Sequence, residues 1–237
     1  MKKLSLLVLT FIFCFLLSLP AAQAERFDLT DKDFDFHQIK TMLIYDPDVD
    51  LMKQADPAGS DLVIRVAAAD YQKEGADDAP YALLSPEQLS RKSSLKLGLD
   101  LDRMMQEDPE QADALLAANR GQFVDAYIRT VLTEYHTGSY VVPAHTEWKQ
   151  IQESDTYTDR DGHQHTITHT RQIPQYIPDA TVNTATVRLR FIVYNAKTGK
   201  EIFSRDDSRT DDYSTDLRDA YKKVVHSFFR DLKKKIR

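Results

Sequence analysis

The stretch Thr181–Tyr194, TVNTATVRLRFIVY, decides the fold of this 237-residue chain. Its second half places an apolar residue at every second position: Ala185, Val187, Leu189, Phe191 and Val193. The residues Thr184, Thr186, Arg188 and Arg190 alternate with them and favour water. An alternation with a period of two predicts a strand with one face in a core and the other in solvent. The chain therefore needs an element that covers the apolar face.

The C-terminal end of the chain supplies the predicted cover. After the strand, Asn195–Lys200 (NAKTGK) has the composition of a hairpin turn and leads into a short strand, Glu201–Arg205. From about Thr215 to Ile236 apolar residues recur at helical spacing: Leu217, Tyr221, Val224, Phe228 and Leu232. We expect this amphipathic helix to bury Val224 and Phe228 against Val187, Leu189 and Phe191.

Shorter elements are predicted upstream of these. Apolar runs at Lys40–Asp46, Tyr81–Leu84 and Phe123–Tyr135 indicate strands. Ser85-Pro86-Glu87-Gln88 is typical of a helix start, and Asp108-Pro109 opens a second helix that runs to about Asn119. Residues 60–73 fit a strand through Leu62-Val63-Ile64 or a helix through the alanines that follow, and we favour the helix.

This order of elements predicts an α+β fold that is α/β-like: a single mixed sheet covered by helices, with a C-terminal amphipathic helix. Residues 25–237 form one domain of this kind. A segment of about residues 139–180 interrupts it, and its polar alternation on both sides of Asp159-Arg160-Asp161-Gly162 predicts a long protruding β-hairpin. We call this hairpin the ribbon.

The first 24 residues are predicted to be a signal peptide that is removed on export. Lys2 and Lys3 precede an uncharged apolar run from Leu4 to Pro20, and Ala22-Gln23-Ala24 fits the site that signal peptidase cleaves. A retained membrane anchor is the alternative, since the run approaches the length of a spanning helix. The large residues before Cys14 do not suit lipid attachment, so we expect an exported protein without a lipid anchor, in the periplasm, at the cell surface or secreted.

Composition excludes several classes of function. Without Lys2 and Lys3, the 31 basic side chains fall to 29 against 37 acidic ones, and this charge of −8 disfavours nucleic acid as a partner. Loss of Cys14 with the leader removes thiol nucleophiles, disulfides and cysteine-ligated zinc. The basic end of the last helix, Lys233-Lys234-Lys235 and Arg237, offers a peripheral membrane contact, but we favour the interpretation that these cations complement the helix dipole.

The C-terminal third resembles known proteins. Val124-Asp125-Ala126, Gly138–Pro143 and Val187–Phe203, followed by the amphipathic helix, are similar to uncharacterised exported bacterial proteins. More distantly, the layout resembles the α/β domain of curli-export-type lipoproteins and the TolB amino-terminal domain, which share the turn that ends in Thr-Gly-Lys. The resemblance implies a cell-envelope protein that works in assemblies rather than as an enzyme. It implies no catalytic residue.

The ribbon carries the candidate site, and its register decides the chemistry. A two-residue turn at Asp161-Gly162 would place Arg160 opposite His163, and the histidines would share a face with Ser154 and Thr158. A three-residue loop that ends in a left-handed Gly162 instead places Asp159, Tyr157 and Glu153 opposite His163, His165 and His169. Asp at the first turn position and Gly at the fourth favour this second register.

In the favoured register, imidazoles and carboxylates share one face. Metal-ligand candidates are His163, His165, His169 and Asp159, with zinc as the cofactor they would suit. Interaction candidates are the aromatic residues Tyr140, Trp148, Tyr157 and Tyr176. No catalytic residue is assigned, because nothing in the chain matches a nucleophile elbow or a phosphate loop.

The leading functional hypothesis is therefore a non-enzymatic, exported envelope protein without a cofactor. Its ribbon would bind an envelope protein partner or a second copy of the chain, because a two-stranded hairpin of this length is marginal alone. The alternative is a divalent-metal-binding protein or metal-dependent enzyme that uses the histidines of the ribbon.

Overall fold

The computed structural model of the chain describes residues 25–55 and 60–237. Its strands are β1 (Glu25–Thr30), β2 (Thr41–Ile44), β3 (Ala82–Leu84), β4 (Ala126–Val142), β5 (His145–Thr158), β6 (Gln164–Ile177), β7 (Ala180–Asn195) and β8 (Glu201–Asp212). Its α-helices are α1 (Asp50–Ala55), α2 (Ser60–Ala76), α3 (Pro86–Leu97), α4 (Leu101–Glu107), α5 (Pro109–Arg120) and α6 (Leu217–Ile236). The predicted signal peptide lies outside the described residues.

Six strands form one mixed sheet in the order β1-β8-β7-β4-β2-β3. Strand β2 is parallel to both of its neighbours, whereas β4, β7, β8 and β1 are joined by antiparallel pairing. Strands β5 and β6 form a separate two-stranded sheet. The predicted α+β class with a mixed sheet and a C-terminal helix is confirmed.

Helix α6 covers the apolar face of β7, as the alternation predicts. Val187, Leu189 and Phe191 are fully buried, and they share one core cluster with Val224 and Phe228. The rings of Phe191 and Phe228 stack with 3.9 Å between their centroids. A fully buried side chain of this size contributes about 1.5–3 kcal/mol, so this contact stabilises the packing of α6 on the sheet.

Residues 60–73 are helical, in agreement with the favoured alternative. Ala67 and Tyr71, one helical turn apart, are both buried in the main core. The Tyr71 hydroxyl lies 2.5 Å from Oγ1 of Thr130 on β4. Helix α2 therefore packs on the same side of the sheet as α6.

The opposite side of the sheet has its own smaller core beneath α3 and α5. Leu43 of β2, Leu84 of β3 and Leu89 of α3 form this cluster together with Val124 and Ala196. Helix α3 begins as predicted, since Ser85 and Gln88 form a reciprocal capping box and Pro86 occupies the first helical position. Asp108 likewise accepts a hydrogen bond from the backbone N–H of Gln111 at the start of α5. Helices thus cover both faces of the sheet.

Strand β8 is longer than the sequence predicts, because its polar half is held by ion pairs such as those of Asp207 with Arg26 (3.2 Å) and Asp211 with Lys223 (3.0 Å). The expected end was Arg205, but the strand continues to Asp212. Arg205, with a side chain only 2% exposed, donates to both carboxylate oxygens of Asp28 at 2.7 Å and to Asp231 at 3.1 Å. These bonds attach β1 and α6 to β8. Strand β1 and the short helices α1 and α4 were also not predicted.

Within residues 25–55 and 60–237, no helix is both long enough and apolar enough to cross a membrane.

Candidate functional site

The ribbon continues the central hairpin of the sheet. Strands β4 and β7 pair as far as Val142 and Ala180, and β5 and β6 resume at His145 and Ile177. Each strand is interrupted between these pairs by a proline and one further residue, at positions 143–144 and 178–179. Proline lacks the N–H that a ladder needs, which explains the break. The ribbon proper is therefore shorter than the predicted 139–180, because residues 139–142 and 180 belong to β4 and β7.

The turn at the tip has the three-residue form that the sequence favours. The Asp159 N–H donates to the His163 carbonyl at 2.9 Å, and the Gly162 N–H donates to the Asp159 carbonyl at 3.2 Å. Gly162 has φ +85°, in the left-handed region. Tyr157 consequently lies opposite His165, and Glu153 lies opposite His169. The predicted register is correct.

Asp159 organises one face of the tip. Its carboxylate accepts hydrogen bonds from the backbone N–H groups of Asp161 (3.0 Å) and His163 (2.8 Å). Its other oxygen lies 2.8 Å from Nε2 of His165 and 3.5 Å from Nδ1 of His163. The hydrogen bond with His165, followed by those from the backbone, holds the pKa of Asp159 below its usual range. The arrangement stabilises the turn.

Only part of the predicted metal-ligand set comes together. His163, His165 and Asp159 are neighbours, whereas His169 lies farther down the ribbon with its Nε2 3.8 Å from Asp155. In the described ranges, no group of three or more His, Cys, Asp or Glu side chains is arranged to hold a metal ion. The hydrogen bonds that Asp159 accepts give this residue and His165 a structural role in the turn. Zinc binding stays a prediction.

The four aromatic candidates are all exposed but do not form one patch. Trp148 and Tyr176, 66% and 68% exposed, lie near the base of the ribbon and share a face, because Trp148 pairs with Pro174 and Tyr176 with Thr146. Tyr157 lies on the other face near the tip, with its ring stacked on His165 at 5.3 Å. Tyr140 belongs to β4 and donates to Asp212 at 3.2 Å. Trp148 and Tyr176 are thus the two that can act together.

The rest of the face that carries Trp148 and Tyr176 consists of uncharged polar residues and Pro174. Ser154 lies opposite Thr168, with 3.2 Å between their hydroxyl oxygens, and Thr156 lies opposite Thr166 at 3.5 Å. Cross-strand hydroxyl pairs of this kind stabilise a sheet modestly. The two strands therefore present hydroxyl and amide groups on this face, and no charged side chain.

The basic end of α6 contacts the body of the protein. Lys233 is buried, and its Nζ donates to the backbone carbonyls of Glu74 and Asp77 near the end of α2. Arg237 donates to the carbonyl of Asp78 at 3.2 Å. These cations compensate the negative end of α2 as well as that of their own helix, which supports the favoured interpretation of this segment.

Comparison with known proteins yields distant likenesses in fold. No protein-family model and no curated protein matches the chain. A PelC dodecamer from Paraburkholderia phytofirmans matches with 10% identity and a TM-score of 0.39, over 89% of this chain and 98% of PelC. A single-substitution variant of that dodecamer matches with 10% identity and a TM-score of 0.40, over 89% and 99%. Lipoprotein GNA1162 from Neisseria meningitidis matches with 13% identity and a TM-score of 0.32, over 82% and 99%. These likenesses assign the chain to no family.

Proposed function

We propose that the protein is an exported, non-enzymatic protein of the cell envelope that binds another protein chain by adding a strand to the edge of its ribbon. The observation that carries this proposal is the exposure of the ribbon. Nearly every residue of β5 and β6 is exposed, and the two strands form a sheet of their own. A two-stranded sheet with no covered face is marginal in water, and pairing with a further strand stabilises it.

The two edges of the ribbon differ in their ability to accept a strand. In an antiparallel ladder, pairs that exchange hydrogen bonds alternate with pairs whose N–H and C=O groups point outward. Asp159 and His163 form a hydrogen bond across the ribbon, and the register runs unbroken from this pair to His145. Odd-numbered residues therefore form the hydrogen bonds between β5 and β6. The N–H groups of even-numbered residues therefore point to the free edges.

Pro174 is an even-numbered residue of β6, so the edge of β6 lacks a donor at that position. The edge of β5 has an N–H at every outward position, from Thr146 to Thr158. Proline at an edge is a common means of blocking strand addition. We therefore assign the binding edge to β5.

Charges along β5 favour a second copy of the chain as the added strand. Lys149 lies in the half near the base, whereas Glu153 and Asp155 lie in the half near the tip, and all three share a face. When the β5 strands of two copies pair antiparallel, the even-numbered residues form the hydrogen bonds between them. Even-numbered residues of one copy must therefore lie opposite even-numbered residues of the other. Of the registers that meet this condition, the one that places Lys149 opposite Asp155 of the other copy gives two opposite-charge pairs and puts Glu147 opposite the uncharged Tyr157.

A matched pair of proline variants tests the assignment. Gln152 on β5 and Thr170 on β6 lie directly opposite each other, and both N–H groups point outward. Neither Gln152→Pro nor Thr170→Pro removes a hydrogen bond of the ribbon itself. Sedimentation velocity of the exported protein over a range of micromolar concentrations should show association in the wild type and in Thr170→Pro, and its loss in Gln152→Pro.

Equal sedimentation of the two variants would contradict the choice of edge. If the wild type stays monomeric, a photo-crosslinking residue at Ser154 in the exporting cell should capture a different protein, and Gln152→Pro should abolish the adduct. Absence of both self-association and an adduct would contradict the proposed function.

A further inference from the structure

A cleft of about 630 Å³ lies beside the carboxyl ends of β2 and β3, remote in sequence from the ribbon. Tyr45 directly follows β2, and Pro86 follows β3 at the start of α3. The remaining wall comes from α3, α4 and α5 and includes the apolar side chains of Leu89, Met105 and Leu116. In open sheets with parallel strands, ligands bind outside the carboxyl ends of those strands. The position of the cleft is therefore that of a binding site.

Arg120, the last residue of α5, is one of the residues that line this cleft. It is only 7% exposed, and its guanidinium carbon lies 3.9 Å from the centroid of the Tyr127 ring and 5.7 Å from that of Tyr45. Its buried Nε has no hydrogen-bond partner. Nor does its side chain form an ion pair with any described residue. Cation–π contact offsets only part of the cost of burying such a group.

A second arginine converges on the same tyrosine. The guanidinium carbon of Arg129 lies 5.5 Å from the centroid of the Tyr45 ring, and this side chain also lacks an ion-pair partner within residues 25–55 and 60–237. Two guanidinium groups on one ring repel each other and attract an anion. Asp113 is the one carboxylate of the cleft that acts on Tyr45, so the charge around this ring is about that of one cation, whereas Glu87 and Asp102 bring the whole lining to about one negative charge.

We propose that this cleft binds a small organic monoanion, a carboxylate on an apolar body, with the carboxylate held by Arg120 and Arg129. Guanidinium groups match the two oxygens of a carboxylate in their hydrogen-bond geometry. The apolar body lies against the wall formed by Leu89, Met105 and Leu116. A dianion such as phosphate suits the cleft less well, because Glu87, Asp102 and Asp113 also line it. The inference is independent of the ribbon.

The hydroxyl of Tyr45 adds a donor for the same ligand. Burial raises the pKa of Tyr45, so the phenol keeps its proton at neutral pH. Its oxygen has no hydrogen-bond partner among the residues that the structure describes. It lines the cleft together with both arginines and is free to donate to a bound carboxylate.

The proposal can be tested on the whole exported chain by titration with benzoate. The ¹H–¹⁵N signals of the arginine Nε–H groups report binding. Benzoate should shift the signals of Arg120 and Arg129 with a dissociation constant on the order of millimolar, as suits a ligand of this size. Benzamide, which has the same shape without the charge, should bind more weakly by a factor of about ten or greater. Inorganic phosphate that binds as tightly as benzoate would overturn the assignment to an organic carboxylate.

Charge-matched variants complete the test. Arg129→Gln removes an exposed side chain and should weaken benzoate binding about tenfold without affecting folding. Arg91→Gln on α3 removes the same charge outside the residues that line the cleft and should leave binding unchanged. Arg120→Lys keeps the charge but loses the planar fork and should also weaken binding. Shifts confined to other arginines, or equal affinities of Arg129→Gln and Arg91→Gln, would overturn the proposal.

Discussion

The central hairpin has an inner half, formed by β4 and β7, and an outer half, the ribbon of β5 and β6. Strand β4 leads directly into β5, and β6 leads directly into β7. In the inner half, β4 and β7 are covered by α6, and residues such as Leu189 and Phe191 are fully buried. In the outer half, β5 and β6 pair in an unbroken register over 14 residues each, with almost every side chain exposed. Regular pairing therefore does not require burial, but only the inner half has a core to stabilise it.

We expect the largest difference in stability between the halves when an ion pair of each is removed. Arg205 is buried in the inner sheet and bonded to both oxygens of Asp28, so Arg205→Ala leaves Asp28 without its ion-pair partner and removes one of the three arginines in the described ranges that pair with Asp231. We expect a loss of about 3–5 kcal/mol in the free energy of unfolding, measured with urea. His165→Ala, which removes an exposed partner of Asp159, should leave the midpoint of global unfolding unchanged. Similar losses for both variants would show that the ribbon unfolds together with the sheet.

Apolar truncations give the next largest effect. Leu189→Ala creates a cavity in a fully buried site and should cost about 2–5 kcal/mol. Ile167 on β6 is 44% exposed, and Ile167→Ala should cost less than about 1 kcal/mol. Thermal unfolding of the two variants compares the halves directly, and equal shifts in Tm would contradict the claim that only the inner half has a core.

Acid should disrupt the hydrogen bonds of Asp159 at the tip of the ribbon. Its hydrogen bonds lower the pKa of Asp159 in the folded state, so its stabilising effect is present above the unfolded pKa of about 3.9 and is lost as the pH falls through the folded value. Amide signals of Asp161 and His163 should therefore shift together in that acidic range. Asp159→Asn should remove this dependence, and turn signals that are constant in the wild type down to about pH 2 would contradict it.

Zinc is expected to have the smallest effect. Asp159 already accepts hydrogen bonds in the turn, and His169 lies apart from His163 and His165. Calorimetry with zinc at neutral pH should give heats equal to those of dilution. Micromolar binding that is lost in the His163→Ala/His165→Ala double variant would instead support a metal-binding ribbon.

The sequence predicts those features that depend on local patterns. Alternation in β7 and the helical stripe of α6 identify the two main partners of the core, and the capping residues Ser85 and Asp108 locate two helix starts. Asp159 and Gly162 define the turn, from which the register of the whole ribbon follows.

Features that depend on distant partners could not be predicted. Strand β1 has only two apolar residues, Phe27 and Leu29, which is too short an alternation to mark a strand. The polar end of β8 is held by ion pairs with residues distant in sequence, such as Arg26 and Lys223. Helices α1 and α4 have only 6 and 7 residues, too few for a clear periodicity. The cleft described above is lined by Tyr45, Arg120 and Arg129, which come from separate parts of the chain. No local sequence motif connects these three residues.

The central claim is that the free edge of β5 accepts another strand. Hydrogen exchange measured at individual amides tests it most directly, because the N–H groups of Gln152 and Thr170 both point outward from one pair. In assembled protein, the account predicts that exchange at Gln152 slows about tenfold or more relative to dilute monomer, while exchange at Thr170 does not change. Slowed exchange at Thr170 with fast exchange at Gln152, or no change at either amide, would contradict it.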